Sequence, residues 1–194
     1  EDLDPPRVIP RAEARIAEDL RWLGIDWDEG PYVGGAFAPY RQSERQDRYQ
    51  AAIAKLVETD SVYPCHVSRK ELREVASAPH GSDEVPFPPS LRPDFLPADW
   101  FSTFGAGGEQ AIRLRVDNYV AAFDDLLHGH IVQNVASETG DFVLRRRDGL
   151  FAYQLAVVVD DIDMQITDVI RGDDHVNNTP RQVNIYEALG HSPG

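Results

Sequence analysis

The sequence predicts an α/β protein in which a small α+β segment separates two flanking stretches. Apolar residues recur at helical spacing near both ends of the chain, whereas short strand-like runs occupy its middle. The character of the sequence changes twice, at Tyr63–Pro64 and again at Phe151. We therefore expect three parts, residues 1–63, 64–150 and 151–194.

Two helices are predicted in the first part. Apolar residues fall on one face within residues 10–24, and Gly24 follows as a stop signal. Residues 43–58 show the same spacing. Ser43, with Gln46 three positions later, predicts a capping box at the start of this second helix.

The middle part is predicted to begin with a helix and to end in strands. Ser68 and Glu71 have the spacing of a capping box. Residues 78–108 are rich in Pro, Gly and Ser, which argues against regular structure there. Asp148–Gly149 indicates a hairpin-type turn. The strand-like runs are residues 111–116, 131–134 and 142–146.

The third part combines a strand with helices. Residues 155–162 fit either a helix or a buried strand, and residues 166–170 predict a strand. A final helix is predicted to open with Thr179 as its cap, Pro180 at its first position and Gln182 closing a capping box.

The composition excludes several classes of protein. No apolar run approaches the ~18–20 residues that span a bilayer. The single cysteine, Cys65, rules out an internal disulfide framework and indicates a cytoplasmic location. A net charge of −14 argues against a general nucleic-acid binder. Local arginine clusters such as residues 145–147 can still contact phosphates, although a solvated face is the alternative for each.

Five sequence segments match one known family in its order and spacing. They read EDLDPPR at residues 1–7, WLGIDWDEGP at 22–31, PYRQSER at 39–45, DGLFAYQLAVVVDD at 148–161 and TDVIRGDDHVNNTPRQ at 167–182. Together they resemble the catalytic region of class I aminoacyl-tRNA synthetases that activate glutamate. This family includes the glutamyl-tRNA synthetases and a short paralogue, glutamyl-queuosine tRNA(Asp) synthetase.

The resemblance implies a Rossmann-like nucleotide-binding domain split by an α+β insertion that holds the tRNA acceptor end. Residues 1–63 and 151–194 would then be the two parts of the catalytic domain, and residues 64–150 the insertion. It also implies a helix over residues 153–161, a segment for which spacing alone leaves a strand open.

The reaction that the resemblance implies is adenylation of glutamate by ATP, with Mg, followed by transfer to tRNA. The substrate is a zwitterion with a second carboxylate, so its site needs an anion for the ammonium group and donors for the carboxylates. By resemblance, Glu1 faces the amino group, and Tyr153 and Arg171 face carboxylates. The alternative for Tyr153 is a core aromatic residue, and the alternative for Arg171 is an ion pair with a nearby aspartate.

Three further residues carry over from the family. Asp174 occupies a nucleotide-binding position, and Asp4 and Arg7 lie near the tRNA 3′ end by the same resemblance. No catalytic residue is assigned, because the His-Ile-Gly-His signature lies upstream of Glu1 in this family and the Lys-Met-Ser-Lys-Ser-like loop lies downstream of Gly194. We therefore expect a fragment that is inactive in adenylation by itself, from a monomeric parent enzyme.

The acceptor tRNA stays open between two members of the family. PPR at residues 5–7, residues 68–81 and GDFVLRR at residues 140–146 favour the paralogue, whereas PYRQSER and HVNNTPRQ favour the full-length enzyme. The reaction on tRNA(Glu) is the first hypothesis and the paralogue's reaction is the close alternative. A non-catalytic synthetase remnant that acts as a binding module is the second alternative.

The paralogue carries zinc in its insertion, bound by a Cys-x-Cys pair, a Tyr and a further Cys. The corresponding positions here read Cys65, Val67, Phe87 and Leu91. Three of the four ligands are lost, and Val, Phe and Leu cannot coordinate the ion. We therefore expect no structural zinc and assign no metal ligand.

Overall fold

The computed structural model describes residues 2–68, 71–72, 86–105 and 110–193. The chain forms two units, Glu1–Arg48 and Tyr49–Gly194. The three-part division with boundaries after residues 63 and 150 is a different division, and it stays a prediction. No helix among the described residues is long and apolar enough to cross a membrane.

The first unit contains helix α1, Ala12–Trp22, which confirms the first predicted helix. Its predicted apolar face is only partly covered, because Ala17 is buried while Ile16 and Leu23 are exposed. A short 3-10 turn, Pro5–Arg7, precedes the helix.

Two of the family segments contact each other within this first unit. Glu29 accepts hydrogen bonds from the backbone N–H of Phe37, at 2.8 Å, and from the hydroxyl of Tyr40. Arg45 is buried and donates to the carbonyls of Phe37 and Pro39, at 3.2 and 2.9 Å. The PYRQSER segment therefore fixes the loop that follows WLGIDWDEGP.

Helix α2, Gln46–Glu58, is confirmed, but its predicted capping box is wrong. The helical spacing buries Tyr49, Ile53 and Leu56 completely. Ser43 lies outside the helix, and its N–H and hydroxyl both donate to the carboxylate of Asp2. A charged acceptor makes the stronger hydrogen bond, so Asp2 engages the serine in place of Gln46.

The second unit contains two antiparallel sheets. One sheet has three strands in the order β1-β2-β5, and the other is the hairpin β3-β4. The three predicted strand-like runs are confirmed as β2, β4 and β5, and the predicted turn at Asp148–Gly149 joins β5 to Phe151. The strands are β1 Val62–Cys65, β2 Ala111–Leu114, β3 Val120–Asp125, β4 Gly129–Asn134 and β5 Phe142–Arg145.

The described parts of the Pro-rich stretch contain little regular structure, as predicted. The Ser68–Glu71 capping box is present, with reciprocal hydrogen bonds of 2.7 and 3.2 Å. Most of the helix predicted after it lies outside the described residues. Within residues 86–105 the longest elements are single turns, at Pro89–Leu91 and Phe101–Gly105.

A buried carboxylate, Asp141, ties this stretch to the three-stranded sheet. It accepts two hydrogen bonds of 2.7 Å from Arg92 and one of 2.8 Å from the backbone N–H of Val116. The hydroxyl of Tyr63 on β1 donates to the same group at 2.5 Å. Burial, together with this hydrogen bond, raises the pKa of the Tyr63 hydroxyl far above its usual range, so the phenol keeps its proton.

Among the described residues, the second unit contains three helices besides the greater part of α2. The segment left open between helix and strand is a helix, α4, with Leu155, Val158 and Val159 buried. It packs against α5, which contributes buried Val183 and Ile185. The helices are α3 Val135–Glu138, α4 Tyr153–Asp163 and α5 Thr179–Ala188.

The strand predicted at residues 166–170 is wrong. Residues 166–170 have no regular secondary structure and pair with no strand among the described residues, and Ile170 is 99% exposed. The N–H of Ile166 instead bonds to the carbonyl of Asp161, at 2.9 Å, and closes the end of α4. A strand is stabilised by hydrogen bonds to a neighbouring strand and by a packed face, so an apolar pattern without a neighbour does not form one.

Candidate active site

Three predicted site residues lie in the second unit, one at the start of α4 and two in the segment between α4 and α5. Tyr153 is the first residue of α4 and is half-buried. Arg171, also half-buried, follows the irregular segment 166–170. Asp174 is exposed in a 3-10 turn, Asp173–Asn178, that leads into α5.

Arg171 is held by the first turn of α5. Its guanidinium donates to the side-chain oxygen of Gln182 at 2.7 Å and to the hydroxyl of Thr179. The capping box predicted for Thr179 and Gln182 is therefore wrong: Asn178 takes the cap position, and both side chains accept from Arg171. A charged donor outcompetes backbone N–H groups for these acceptors.

The described contacts of Arg171 do not include the ion pair considered as its alternative role. Asp173 and Asp174 are the aspartates nearest in sequence, and neither accepts from the guanidinium among the described residues. An arginine has five N–H donors, and Thr179 and Gln182 engage two of them. Donors therefore remain for a substrate carboxylate.

A chain of side-chain amides continues from Arg171 towards Tyr153. Gln182 donates to Gln154 at 2.9 Å, and Gln154 donates to Asn178 at 2.7 Å. Asn178 lies 3.3 Å from the Nδ1 atom of His175, whose ring centroid is 5.7 Å from that of Tyr153. The structure thus links the neighbourhoods of Arg171 and Tyr153 by contacts that the sequence analysis did not assign.

Asp174 lies close to the backbone that follows Arg171. A side chain at Gly172 would place its first carbon 2.5 Å from a carboxylate oxygen of Asp174, so the absence of a side chain there makes room for the acid. The other oxygen of Asp174 is 3.9 Å from Nε2 of His175. Tyr153, Arg171 and Asp174 are therefore connected through His175 and the amide chain.

The turn of the β3-β4 hairpin meets the same region. Nε2 of His128 lies 2.6 Å from the carboxylate of Asp173. Within the turn, Asp125 accepts hydrogen bonds from the backbone N–H groups of Leu127 and His128, both at 2.8 Å. These hydrogen bonds, with smaller contributions from the charges of His128 and Arg171, lower the pKa of Asp125. Sequence spacing gave no signal for this contact, because 45 positions separate His128 from Asp173.

The remaining predicted residues lie in the first unit or outside the described residues. Glu1, predicted to face the amino group, is outside them. Asp4 and Arg7 form an ion pair of 3.3 Å across the first 3-10 turn, and Arg7 is largely exposed. The roles of these three residues stay predictions.

The four positions aligned with the paralogue's zinc ligands converge in space. Cys65 and Phe87 are buried in one apolar cluster, and Val67 and Leu91 pack against it. One thiol surrounded by hydrocarbon does not fit a tetrahedral zinc site. Packing of hydrocarbon side chains therefore occupies the positions that the resemblance aligns with zinc ligands.

We expect the chain to contain no stoichiometric zinc and to keep its melting temperature after dialysis against EDTA. The reason is that the cluster is stabilised by apolar burial, which a chelator does not affect. The control is the triple variant Val67→Cys, Phe87→Tyr and Leu91→Cys, which restores the ligand types and should gain zinc. Stoichiometric zinc in the unaltered chain after dialysis would contradict the prediction.

The partly buried carboxyl of Asp161 should make the stability of the chain depend on pH. Burial raises its pKa to about 6; the nearby charge of Asp160 adds to this, whereas a hydrogen bond from Tyr186 and the charge of Arg171 oppose it. A carboxyl whose pKa is raised on folding stabilises the fold below its ordinary pKa of 3.8, and this contribution is lost as the pH rises through about 6. Ionised Asp161 therefore destabilises the fold at neutral pH.

Asp161→Asn should raise the melting temperature at pH 7 and weaken the fall in stability between about pH 4 and 6. Melting temperatures of both proteins across this range test the expectation, with Glu58→Gln at an exposed site as the control. Parallel curves for Asp161→Asn and the unaltered chain would contradict it.

The fold and the sequence together identify the family. A family profile described as tRNA synthetases class I (E and Q), catalytic domain, matches residues 1–193. The chain therefore belongs to the catalytic-domain family of class I aminoacyl-tRNA synthetases for glutamate and glutamine.

Curated relatives include both members of the family between which the acceptor tRNA was left open. A glutamyl-Q tRNA(Asp) synthetase from Nitratidesulfovibrio vulgaris is 47% identical over 194 residues, which cover all of this chain and 60% of that protein. A glutamate–tRNA ligase from Lacticaseibacillus casei is 42% identical over 198 residues, covering all of this chain and 40% of that protein. The chain thus spans about half the length of these relatives.

Solved structures show the same class I synthetase fold. The glutamate-tRNA synthetase from Elizabethkingia anophelis superimposes with a TM-score of 0.83 at 31% identity, covering all of this chain and 41% of that one. A glutamate tRNA ligase from Elizabethkingia meningosepticum, solved in complex with its amino acid, has a TM-score of 0.82 at 30% identity and covers 98% of this chain and 40% of that one.

Proposed function

We propose that this chain forms part of an enzyme that activates glutamate with ATP and transfers it to tRNA(Glu). The observation that carries the proposal is the setting of Arg171, whose guanidinium is fixed by two neutral side chains and keeps further donors for a carboxylate. An arginine without a protein carboxylate as its hydrogen-bond partner suits an anionic substrate.

Tyr153 and Asp174 complete the proposed site in the second unit. The phenol of Tyr153 is a donor for a carboxylate of glutamate, and exposed Asp174 is an acceptor for hydroxyl groups of the nucleotide. ATP is the co-substrate and enters with Mg. A carboxylate of glutamate attacks its α-phosphate, and the bond to the β-phosphate breaks to release pyrophosphate. The binding groups mainly position the reactants and stabilise developing charge, which are the largest contributions in transfers of this kind.

We propose that the tRNA contacts residues of the first unit and of the middle of the chain. Glu1 would face the substrate amino group, with Asp4 and Arg7 near the tRNA 3′ end. Residues 64–150 would be the insertion that holds the acceptor end, and residues 1–63 and 151–194 the Rossmann-like catalytic domain. We also propose that the enzyme is a monomer, which light scattering of the full-length protein tests.

A second acceptor, queuosine-containing tRNA(Asp), is supported by the similarity of the chain to one relative. A relative named glutamyl-Q tRNA(Asp) synthetase matches the whole chain at 47% identity. The paralogue's zinc positions also converge in this structure, although without its ligands. Charging assays on tRNA(Glu) and on queuosine-containing tRNA(Asp) distinguish the two acceptors. If neither tRNA is charged and glutamate does not stimulate ATP–pyrophosphate exchange, the non-catalytic binding module is the better description.

A further inference from the structure

We propose that a hydrogen-bond chain, in which every donor points the same way, runs from Arg171 to His175 and fixes the orientation of both residues. The chain fixes the guanidinium that faces a substrate carboxylate, and it places the proton of neutral His175 on Nε2, the side of Asp174. Gln182, Gln154 and Asn178 are then positioning residues. This inference rests on the proposed function for its kinetic consequences but not for its hydrogen-bond polarity.

Arg171 determines which way the donors point in this hydrogen-bond chain. A guanidinium only donates hydrogen bonds, so the side-chain atom of Gln182 that lies 2.7 Å from it must be the oxygen. The amide nitrogen of Gln182 is then turned away from Arg171. It donates to the oxygen of Gln154 at 2.9 Å. One charged residue thereby fixes the orientation of two amides.

The same argument fixes the hydrogen bonds between Gln154 and His175. The oxygen of Gln154 accepts from Gln182, so its nitrogen is the atom that donates to the oxygen of Asn178, at 2.7 Å. The nitrogen of Asn178 lies 3.3 Å from Nδ1 of His175. Because the amide nitrogen only donates, Nδ1 must accept. A neutral imidazole has one donor and one acceptor, so its proton is on Nε2.

The chain ends beside the proposed nucleotide-binding residue. Nε2 of His175 lies 3.9 Å from a carboxylate oxygen of Asp174, and the ring is 5.7 Å from that of Tyr153. The proton placed on Nε2 therefore presents a donor on the side of Asp174. The orientation of the His175 ring and its proton is set by the same chain that holds Arg171.

Neutral partners suit this positioning task. Thr179 and Gln182 hold the guanidinium without cancelling its charge, whereas a carboxylate at either position would compete with the substrate. Gln182 is buried, and a buried amide with all its groups bonded is costly to reorient. The charge of Arg171 also acts on Asp125 and Asp161, although it donates no hydrogen bond to either among the described residues.

Two substitutions distinguish an effect on Arg171 from an effect on the proton of His175. In Gln182→Glu the carboxylate accepts from Arg171 and also from Gln154, whose amide turns over. Asn178 turns in response, and its oxygen then faces Nδ1 of His175. In Gln154→Glu the contact between Arg171 and Gln182 is kept, and only the part beyond residue 154 reverses. Both variants should move the proton of His175 to Nδ1, but only Gln182→Glu gives Arg171 a charged partner.

The experiment combines kinetics with nitrogen NMR on the full-length protein. Glutamate-dependent ATP–pyrophosphate exchange with tRNA present gives KM and kcat, and ¹⁵N spectra show which ring nitrogen of His175 carries the proton. His175→Gln identifies the signal. The exposed Gln165→Glu is the matched control for adding a carboxylate. If these hydrogen bonds only stabilised the start of α5, both variants would change the melting temperature, and their KM values for glutamate would be equal.

We expect the proton on Nε2 in the unaltered protein and on Nδ1 in both variants. Gln182→Glu should raise KM for glutamate at least about tenfold, whereas Gln154→Glu should change it by less than about threefold. A proton on Nδ1 in the unaltered protein, or an unchanged KM in Gln182→Glu, overturns the proposal. If the unaltered protein shows no glutamate-dependent exchange, the proposed function fails, and the NMR spectra alone then confirm or overturn the polarity of the chain.

Discussion

Arg171→Ala in the full-length protein is expected to lower kcat/KM for glutamate roughly 10- to 200-fold. A hydrogen bond to a charged group contributes about 1.5–3 kcal/mol, and this variant removes the one between the guanidinium and the substrate carboxylate. ATP–pyrophosphate exchange at varied glutamate, with tRNA present, measures the effect. Arg171→Lys should recover only part of the loss, because an ammonium group keeps the charge without the planar fork.

The structure defines what a purely structural role for Arg171 would look like. Its contacts with Thr179 and Gln182 steady the beginning of α5, so losing only those would lower the melting temperature and leave glutamate dependence intact. Thermal stability and exchange kinetics on the same variant separate the roles. Arg181→Ala, the next arginine in the sequence, is the matched control. An unchanged kcat/KM in Arg171→Ala would remove this residue from the site.

Asp141→Ala is expected to destabilise the 194-residue chain by about 3–5 kcal/mol, because it breaks the buried ion pair with Arg92 and leaves the Tyr63 hydroxyl and the Val116 N–H without their acceptor. Asp141 is only 2% exposed and accepts from Arg92, Tyr63 and the backbone of Val116. Without it, the Pro-rich stretch loses the buried ion pair between Arg92 and Asp141. Urea unfolding followed by circular dichroism measures the change in the free energy of unfolding.

Asp117→Ala is the matched control for this prediction. Asp117 pairs with the same arginine, Arg92, at 2.6 Å, but its side chain is 62% exposed. Exposed ion pairs contribute less than about 1 kcal/mol, so this variant should unfold at nearly the same urea concentration as the unaltered chain. Equal destabilisation by the two alanine substitutions would show that burial of Asp141 is not what makes it important.

The sequence predicted helices better than strands, and the reason is local. Helical spacing at α2 and in the final helix needs only neighbours within four positions, so Tyr49, Ile53 and Leu56 could be assigned to a core face from the sequence. A strand depends on a partner elsewhere in the chain. β1 was missed because Pro64 lies within it, and residues 166–170 have the right pattern but no neighbour.

In the candidate site, too, contacts between residues distant in the sequence could not be predicted from local spacing. Tyr153, Arg171 and Asp174 could be proposed from motifs, but the residues that connect them could not. Gln182 was assigned to a helix cap from its spacing to Thr179, which is a sound local inference. Arg171 overrode it, because a charged donor eight positions upstream reaches both acceptors. Local sequence rules hold until a distant charge competes for the same atoms.

The most direct test of the account is glutamate-dependent ATP–pyrophosphate exchange by the full-length protein with tRNA present. The proposed site has a fixed guanidinium with donors left for a carboxylate, so we predict exchange with glutamate and much weaker exchange with glutamine, which lacks the second carboxylate. The absence of exchange with glutamate, or equal exchange with both amino acids, would contradict the assignment of Arg171 and Tyr153 to a glutamate site.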